Sequence, residues 1–370
     1  MYIILIIILL VFIAIIFWLV LKSRNMHIWI LPYITSRFNN SCNVDGKKHI
    51  YFCLADHYEP YYMNANMSTA RNIVTEWIKN YRDVSIRHYD SFGNTPKHSY
   101  FYPIEEYDEV IINNLKSICV DNFGDVDIHL HHDNDSDHNL RTTLNDFKEM
   151  LYLKHGLLRK DDHGRIIYGF IHGNWALDNS RPDGRWCGVD NEIDVLLETG
   201  CVFDMTMPSA PSDTQTTTIN SIYFAKEDGK SKSHNVGVTA AVGNWMSDRL
   251  LMIQGPLTLN WKKRKLGFMP KIESGELSFD APPTLDRLDL WEQCSICVKG
   301  AENHVFIKLH THGLQAQNMK MFFELNGFDT LWTMLENKYR DNDIYQLHYI
   351  TAWEMYLKIK SLSVPETILS

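Results

Sequence analysis

In the stretch VDIHLHHDNDSDH, Val126 to His138, four histidines and four aspartates fall within thirteen residues. Both types cost free energy when buried unpaired. Both are also metal ligands, and without cysteine they suit zinc or another borderline divalent ion. The run begins as a strand, so His129 and His131, two apart, share one face and His132 takes the other. Similar polar clusters close other apolar or aromatic runs: Asp56, His57 and Glu59 after IYFCLA, His172 and Asn174 in YGFIHGNW, Asp204 in CVFDM, and Lys308, His310 and His312 in VFIKLHTHG. A single histidine at a strand end is ordinarily a hydrogen-bonded core residue. Five clusters at five strand ends predict convergence on one pocket. A catalytic zinc takes three protein ligands and keeps a position open for water. A neighbouring carboxylate can then take a proton, and a histidine can give one to the leaving group.

Such a pocket needs a scaffold that brings strand ends together. Strand-like runs alternate with helical ones along the body, which predicts an α/β fold with a parallel sheet or barrel and its site at the C-terminal strand ends. NMSTARNIVTEWIKNYRDV reads as a helix capped by Ser68 or Thr69. LRTTLNDFKEMLYLKHGL and NEIDVLLETG read as helices, and YQLHYITAWEMYLKIKSL as one closing helix. WEQCSICVKG reads as a strand entering a turn. Residues 208–283, rich in Ser, Thr, Gly, Asn and Pro, read as an irregular insertion.

The 370 residues carry a net charge of −9, with 45% hydrophobic and 22% charged residues. That is globular usage, and the acidic balance argues against a nucleic-acid partner. The first segment differs. Tyr2 to Leu21 contains no charge and matches the roughly 20 residues that cross a hydrocarbon core as a helix. It lacks a basic n-region and a small-residue cleavage site, so an uncleaved single-pass anchor is expected. Lys22 and Arg24 follow the span, which places the body on the cytoplasmic side if the positive-inside rule is read literally. Seven cysteines, an odd number in a large chain, do not read as a disulfide framework. The expected organisation is an anchor over 1–24, a linker over 25–48 and a body over 49–370.

From about His49 to Gly313 the body resembles the polysaccharide deacetylase superfamily. The resemblance implies a distorted (β/α)7 barrel and a metal-dependent hydrolase that removes acyl groups, N-acetyl above all, from an envelope or exopolysaccharide glycan. LADHYEP stands where that family has a strand-ending Asp-Asp pair, which implies Asp56 as general base and His57 as metal ligand, with His in place of the second Asp. DIHLHHDND stands for the His-x-x-x-His/Asp ligand pair and fits in two registers, His129 with Asp133 or His131 with Asp135. Asp127-Ile128 favours the second. HGNWALDNS and VFDMTMPS stand for the substrate-groove motifs, which implies His172, Asn174, Trp175 and Asp204 as substrate contacts. IKLHTHG stands for the motif whose histidine is the general acid, here His310 or His312. The implied cofactor is a divalent metal, zinc first. The alternatives are a glycoside hydrolase on the same barrel, using two carboxylates, and an inactive glycan-binding barrel at the membrane.

Overall fold

A computed structural model describes residues 2–39, 46–265, 267 and 269–365. The fold is mixed α/β with a large parallel sheet. Among the described residues, seven successive strands form the main parallel run: β1 (Lys48–His57), β2 (His98–Pro103), β3 (Gly124–Leu130), β4 (Ile166–His172), β5 (Cys201–Asp204), β6 (Leu250–Ile253) and β7 (His304–Thr311). Their order is β7-β1-β2-β3-β4-β5-β6. No ladder joins β6 to β7 among the described residues. The register aligns the polar ends: Asp56 lies opposite Thr311, Pro103 opposite His129, Leu130 opposite His172, and Phe170 opposite Asp204.

A parallel sheet is covered on both faces, so its strands are apolar on both. In β1, Ile50, Phe52 and Leu54 enter the core shared with the helices, while Tyr51, Cys53 and Ala55 enter a separate interior cluster with Phe101, Ile171, Phe203 and Phe306. Crossover helices supply the outer layer. α1 is Tyr2–Ser23, and the crossovers are α2 (Met67–Ser85), α3 (Glu109–Val120), α4 (Asp137–Glu149) and α5 (Glu192–Thr199). Asn66, not Ser68 or Thr69, caps α2 by accepting from Thr69 N. Asp108 caps α3 and Ser136 caps α4. At the end of α5, Gly200 has φ 103°, and a Cβ there would meet Ile166 O at 2.4 Å, so glycine is required to turn the chain into β5.

Three stretches differ from the sequence reading. The expected insertion, 208–283, contains the sheet strand β6, which also pairs antiparallel with Ile222–Ala225. It carries a hairpin as well, Thr258–Lys265 with Met269–Glu273. The expected closing helix divides into a strand, Tyr345–Tyr349, paired with the first half of β1, and a helix, Ala352–Ser363. A capping box at Thr351 and Glu354 starts that helix, and Ala352, Met355, Tyr356 and Ile359 seal the interior cluster. The residues before Cys294 are helical, Leu285–Gln293.

Helix α1 is long and apolar enough to cross a membrane, and none of its apolar window is buried. The stretch expected as linker lies outside the described residues at 40–45. Before that gap it folds: Trp29 is fully buried, and Leu21, Met26 and Tyr33 join it against Leu257, Leu259 and Ile272 of the hairpin region.

Candidate functional site

The C-terminal ends of β1, β3 and β7 meet at a cleft of about 310 Å³ lined by His57, Glu59, Tyr62, His131, Asn174, Trp175, His312 and Gln315. The period of two sends His57 inward from β1 and His129 and His131 inward from β3. The His57 ring centre lies 4.8 Å from that of His129 and 4.6 Å from that of His312, and the His129 and His131 rings are 4.6 Å apart. Glu59, just beyond β1, stands among these rings. Its Oε1 is 3.5 Å from Nε2 of both His129 and His131, and 3.9 Å from Nε2 of His312.

The outer nitrogens orient the rings. His129 Nδ1 donates to Ile171 O at 2.8 Å, which leaves Nε2 as the free lone pair facing Glu59. At 3.5 Å that contact is too long for a good hydrogen bond, and His129 Nε2 is buried with no hydrogen-bond partner among the described residues. His131 Nδ1 pairs with Glu105 Oε1 at 2.6 Å. Burial, then the neighbouring imidazoles of His312, His129, His310 and His131, hold His57 well below the ordinary imidazole range. Burial also lowers His129, against the pull of Glu59. For Glu59, burial would raise the carboxyl, but the surrounding imidazoles outweigh it and hold it low. His131 is raised: Glu105 and Glu59 overcome its burial. Ligand atoms of His57, Glu59 and His129 all lie within 4.8 Å of one another, so the group could hold a metal ion.

A second group with the same property is His132, His172, Cys187 and Glu192. His132 takes the opposite face of the chain from His131. Its Nε2 is 2.8 Å from His172 Nε2 and its Nδ1 is 3.0 Å from Asp135 Oδ2. Burial lowers His172 to about 4. Glu192 at the start of α5 is fully buried; burial would raise its carboxyl, yet His172 and His132 bring it down to about 2.

The expected site residues therefore separate. His57, His129, His131, His312, Asn174 and Trp175 gather at or beside the cleft. His310 lies beneath, its ring 6.3 Å from that of His57, buried and outside the cleft lining. Asp56 is not in the cleft. It is an even-numbered residue of β1 and faces the helix layer, where Oδ2 accepts from His98 Nε2 at 2.8 Å and Oδ1 from Gly313 N at 2.7 Å. Asp135 serves His132 and the start of α4 instead of pairing with His131. Asp133 accepts from Trp186 N. His172 belongs to the second group. Asp204 is buried and accepts from Thr206 N and Oγ1, and burial raises its carboxyl to about 7. Glu59, one of the strand-end cluster already read in the sequence, takes the central place, and Cys187 and Glu192 as partners of His132 are additions from the structure. A carboxylate one residue before Pro60 signals Glu59, whereas nothing local signals the other two.

No family model matches the chain, and no curated protein sequence does. Among solved structures, a 4-alpha-glucanotransferase from Thermococcus litoralis aligns with a TM-score of 0.44 and 10% identity, over 85% of this chain and 40% of that enzyme. The chain thus spans less than half the length of that protein.

Proposed function

We propose that the seven parallel strands form a distorted (β/α)7 barrel, and that the protein is a metal-dependent hydrolase which removes acyl groups, N-acetyl first, from a glycan while α1 anchors it in a membrane. The observation that carries this reading is His129 Nε2, buried, without a hydrogen-bond partner among the described residues, and facing Glu59 beside His57. An orphaned buried nitrogen costs free energy unless something accepts its lone pair, and two imidazoles with one carboxylate are a fitting donor set for a divalent ion. A metal held there supplies Lewis acidity, polarising a carbonyl and acidifying water.

The protein side chains have separate tasks. His131, fixed by Glu105 at Nδ1, turns Nε2 to the cleft side, and Glu105 and Glu59 raise its basicity against burial, which suits it to carry a proton to a leaving nitrogen. His312 lines the same cleft and can take a proton. The Trp175 ring, 6.2 Å from those of His57 and His312, offers an apolar face for a sugar. Asn174 adds an amide for a hydroxyl.

The second reading is glycoside hydrolysis. Its supporting observation is that two carboxylates, Glu59 and Glu105, reach the two nitrogens of the one His131 ring. Retention or inversion by paired carboxylates needs no metal. The test is the full chain in detergent with acetylated oligosaccharides, before and after chelation. Acetate release that stops on chelation and returns with zinc supports the deacetylase. Reducing ends that appear regardless of chelation favour the glycosidase, and neither product refutes both.

A further inference from the structure

We propose that His132, His172, Cys187 and Glu192 form a closed four-coordinate site for one structural zinc ion, separate from the cleft. Its first support is hydrogen-bond bookkeeping at the two imidazoles. His132 Nδ1 faces a carboxylate oxygen, Asp135 Oδ2, at 3.0 Å, and His172 Nδ1 faces a carbonyl, Gly173 O, at 2.5 Å. Both partners accept only, so both Nδ1 atoms donate. In neutral rings each Nε2 is then a bare lone pair, and the two lie 2.8 Å apart. Beside them sit Glu192 Oε1, 3.5 Å from His132 Nε2, and Glu192 Oε2, 3.6 Å from His172 Nε2. Such a facing set of acceptors repels itself unless a cation lies among them.

The remaining ligands fit the same ion. Cys187 Sγ is 3.3 Å from Glu192 Oε2 and is approached by the N–H groups of Asn179 at 3.3 Å and Val189 at 3.4 Å. Burial and the Glu192 carboxylate push the thiol up, so the two backbone donors aimed at the sulfur favour a thiolate only with a cation beside it. Glu192 Oε1 is buried with no hydrogen-bond partner among the described residues. Zinc bonds of about 2.0–2.3 Å in a tetrahedron fit donor atoms a few ångströms apart, and here all lie within 4.8 Å of one another. Thiolate and carboxylate together neutralise the ion's charge, which lowers the cost of burying it. Binding releases the thiol proton to solvent. Four protein donors leave no open position, which is the mark of a structural site. Its task would be to pin the ends of β3 and β4 to the start of α5, and with them the loop after His172 that carries Asn174 and Trp175.

A proton shared between the two imidazoles is the competing occupant, and cobalt distinguishes them. Of the two ligand groups among the described residues only this one contains sulfur, so Co(II) exchanged into the full chain should give a near-ultraviolet thiolate-to-cobalt charge-transfer band that depends on Cys187. Cys187→Ser should lose the band, and Cys187→Asp should lose it while still holding the metal. His57→Ala, which alters the cleft group, should keep the band. A wild-type spectrum without the band overturns the proposal, and so does a band that survives in Cys187→Asp. Loss of cleft metal in His57→Ala with an intact thiolate band leaves this site standing and bears on the cleft alone.

Discussion

Asp56→Ala tests which face of β1 the carboxylate occupies. The substitution removes the acceptor for two fully buried donors, His98 Nε2 at 2.8 Å and Gly313 N at 2.7 Å. Each buried donor left unsatisfied costs about 1–3 kcal/mol, so the expected destabilisation is about 2–6 kcal/mol, a large share of a typical ~5–15 kcal/mol. Asp56→Asn should cost about one such penalty, since its amide oxygen still accepts from Gly313. Its NH2 group then faces His98 Nε2, which must become the acceptor and move the ring proton to Nδ1, a buried atom with no hydrogen-bond partner among the described residues. Urea unfolding of the full chain in detergent, followed by tryptophan fluorescence, reads both. At a slope near 3 kcal/mol per molar, a loss of ~3 kcal/mol moves the midpoint by about 1 M. The cleft metal should stay bound in both folded variants. If Asp56→Asn leaves the midpoint in place but abolishes turnover, the carboxylate serves the chemistry and the structural role is wrong.

Glu273 and Arg287 form a buried pair with bonds of 2.7 Å from Nε and from Nη2, and Trp291 Nε1 donates to the same carboxylate at 2.9 Å. Glu273→Gln leaves the guanidinium uncompensated and should cost about 3–5 kcal/mol by urea titration at neutral pH. The pair also sets a pH dependence. Burial would raise the Glu273 carboxyl, but Arg287 outweighs it and holds the folded value below the ordinary one. Its stabilisation is therefore complete above the unfolded value of about 4.3 and is lost as pH falls through the folded value. The wild-type midpoint should drop on acidification below about pH 4, and the Gln variant should drop less; parallel curves would remove Glu273 as the cause. Trp29→Ala empties the pocket against Leu257, Leu259 and Ile272 and should cost the hairpin region about 3–5 kcal/mol of local stability. Hydrogen exchange should quicken over 258–273 and not over β1 to β4, and uniform quickening would mean that the N-terminal segment supports the whole body.

The alternation of strands and helices is legible in the sequence because three of the four crossover helices begin at a capping residue, Asn66, Asp108 and Ser136, ahead of an apolar stripe, although the residues of the first turn, Ser68 and Thr69, mimic the first cap. The facing of β1 is not legible. Both sides of a parallel strand are buried, so IYFCLA reads as apolar throughout, and nothing in it marks which of Asp56 and His57 faces inside. Resemblance assigns both Asp56 and His57 to the chemistry; period two, once the sheet is known, leaves only His57 facing the cleft. Strand β6 is only four residues long, LLMI, too short for any period to be read. QLHYI and the helix after it merge in sequence because their apolar spacing also fits a helix, although the capping box at Thr351 marks the true start.

The polar run at the end of β3 has one physical explanation that accounts for its unusual density. A strand end presents consecutive residues to opposite sides, so His131 reaches Glu59 in the cleft while His132 reaches His172 and Glu192 behind it. Close packing ties the two sides together: a Cβ on Gly173 would fall 2.3 Å from the His131 ring and 2.7 Å from Leu130 O. Gly173 in turn takes the hydrogen bond from His172 Nδ1 and leads directly into Asn174 and Trp175. Any shift of His172 therefore moves the cleft wall. One polar corner thus needs ligands for two groups and a carboxylate, Asp135, to orient one of them, and a solvated loop after a strand has no need of any.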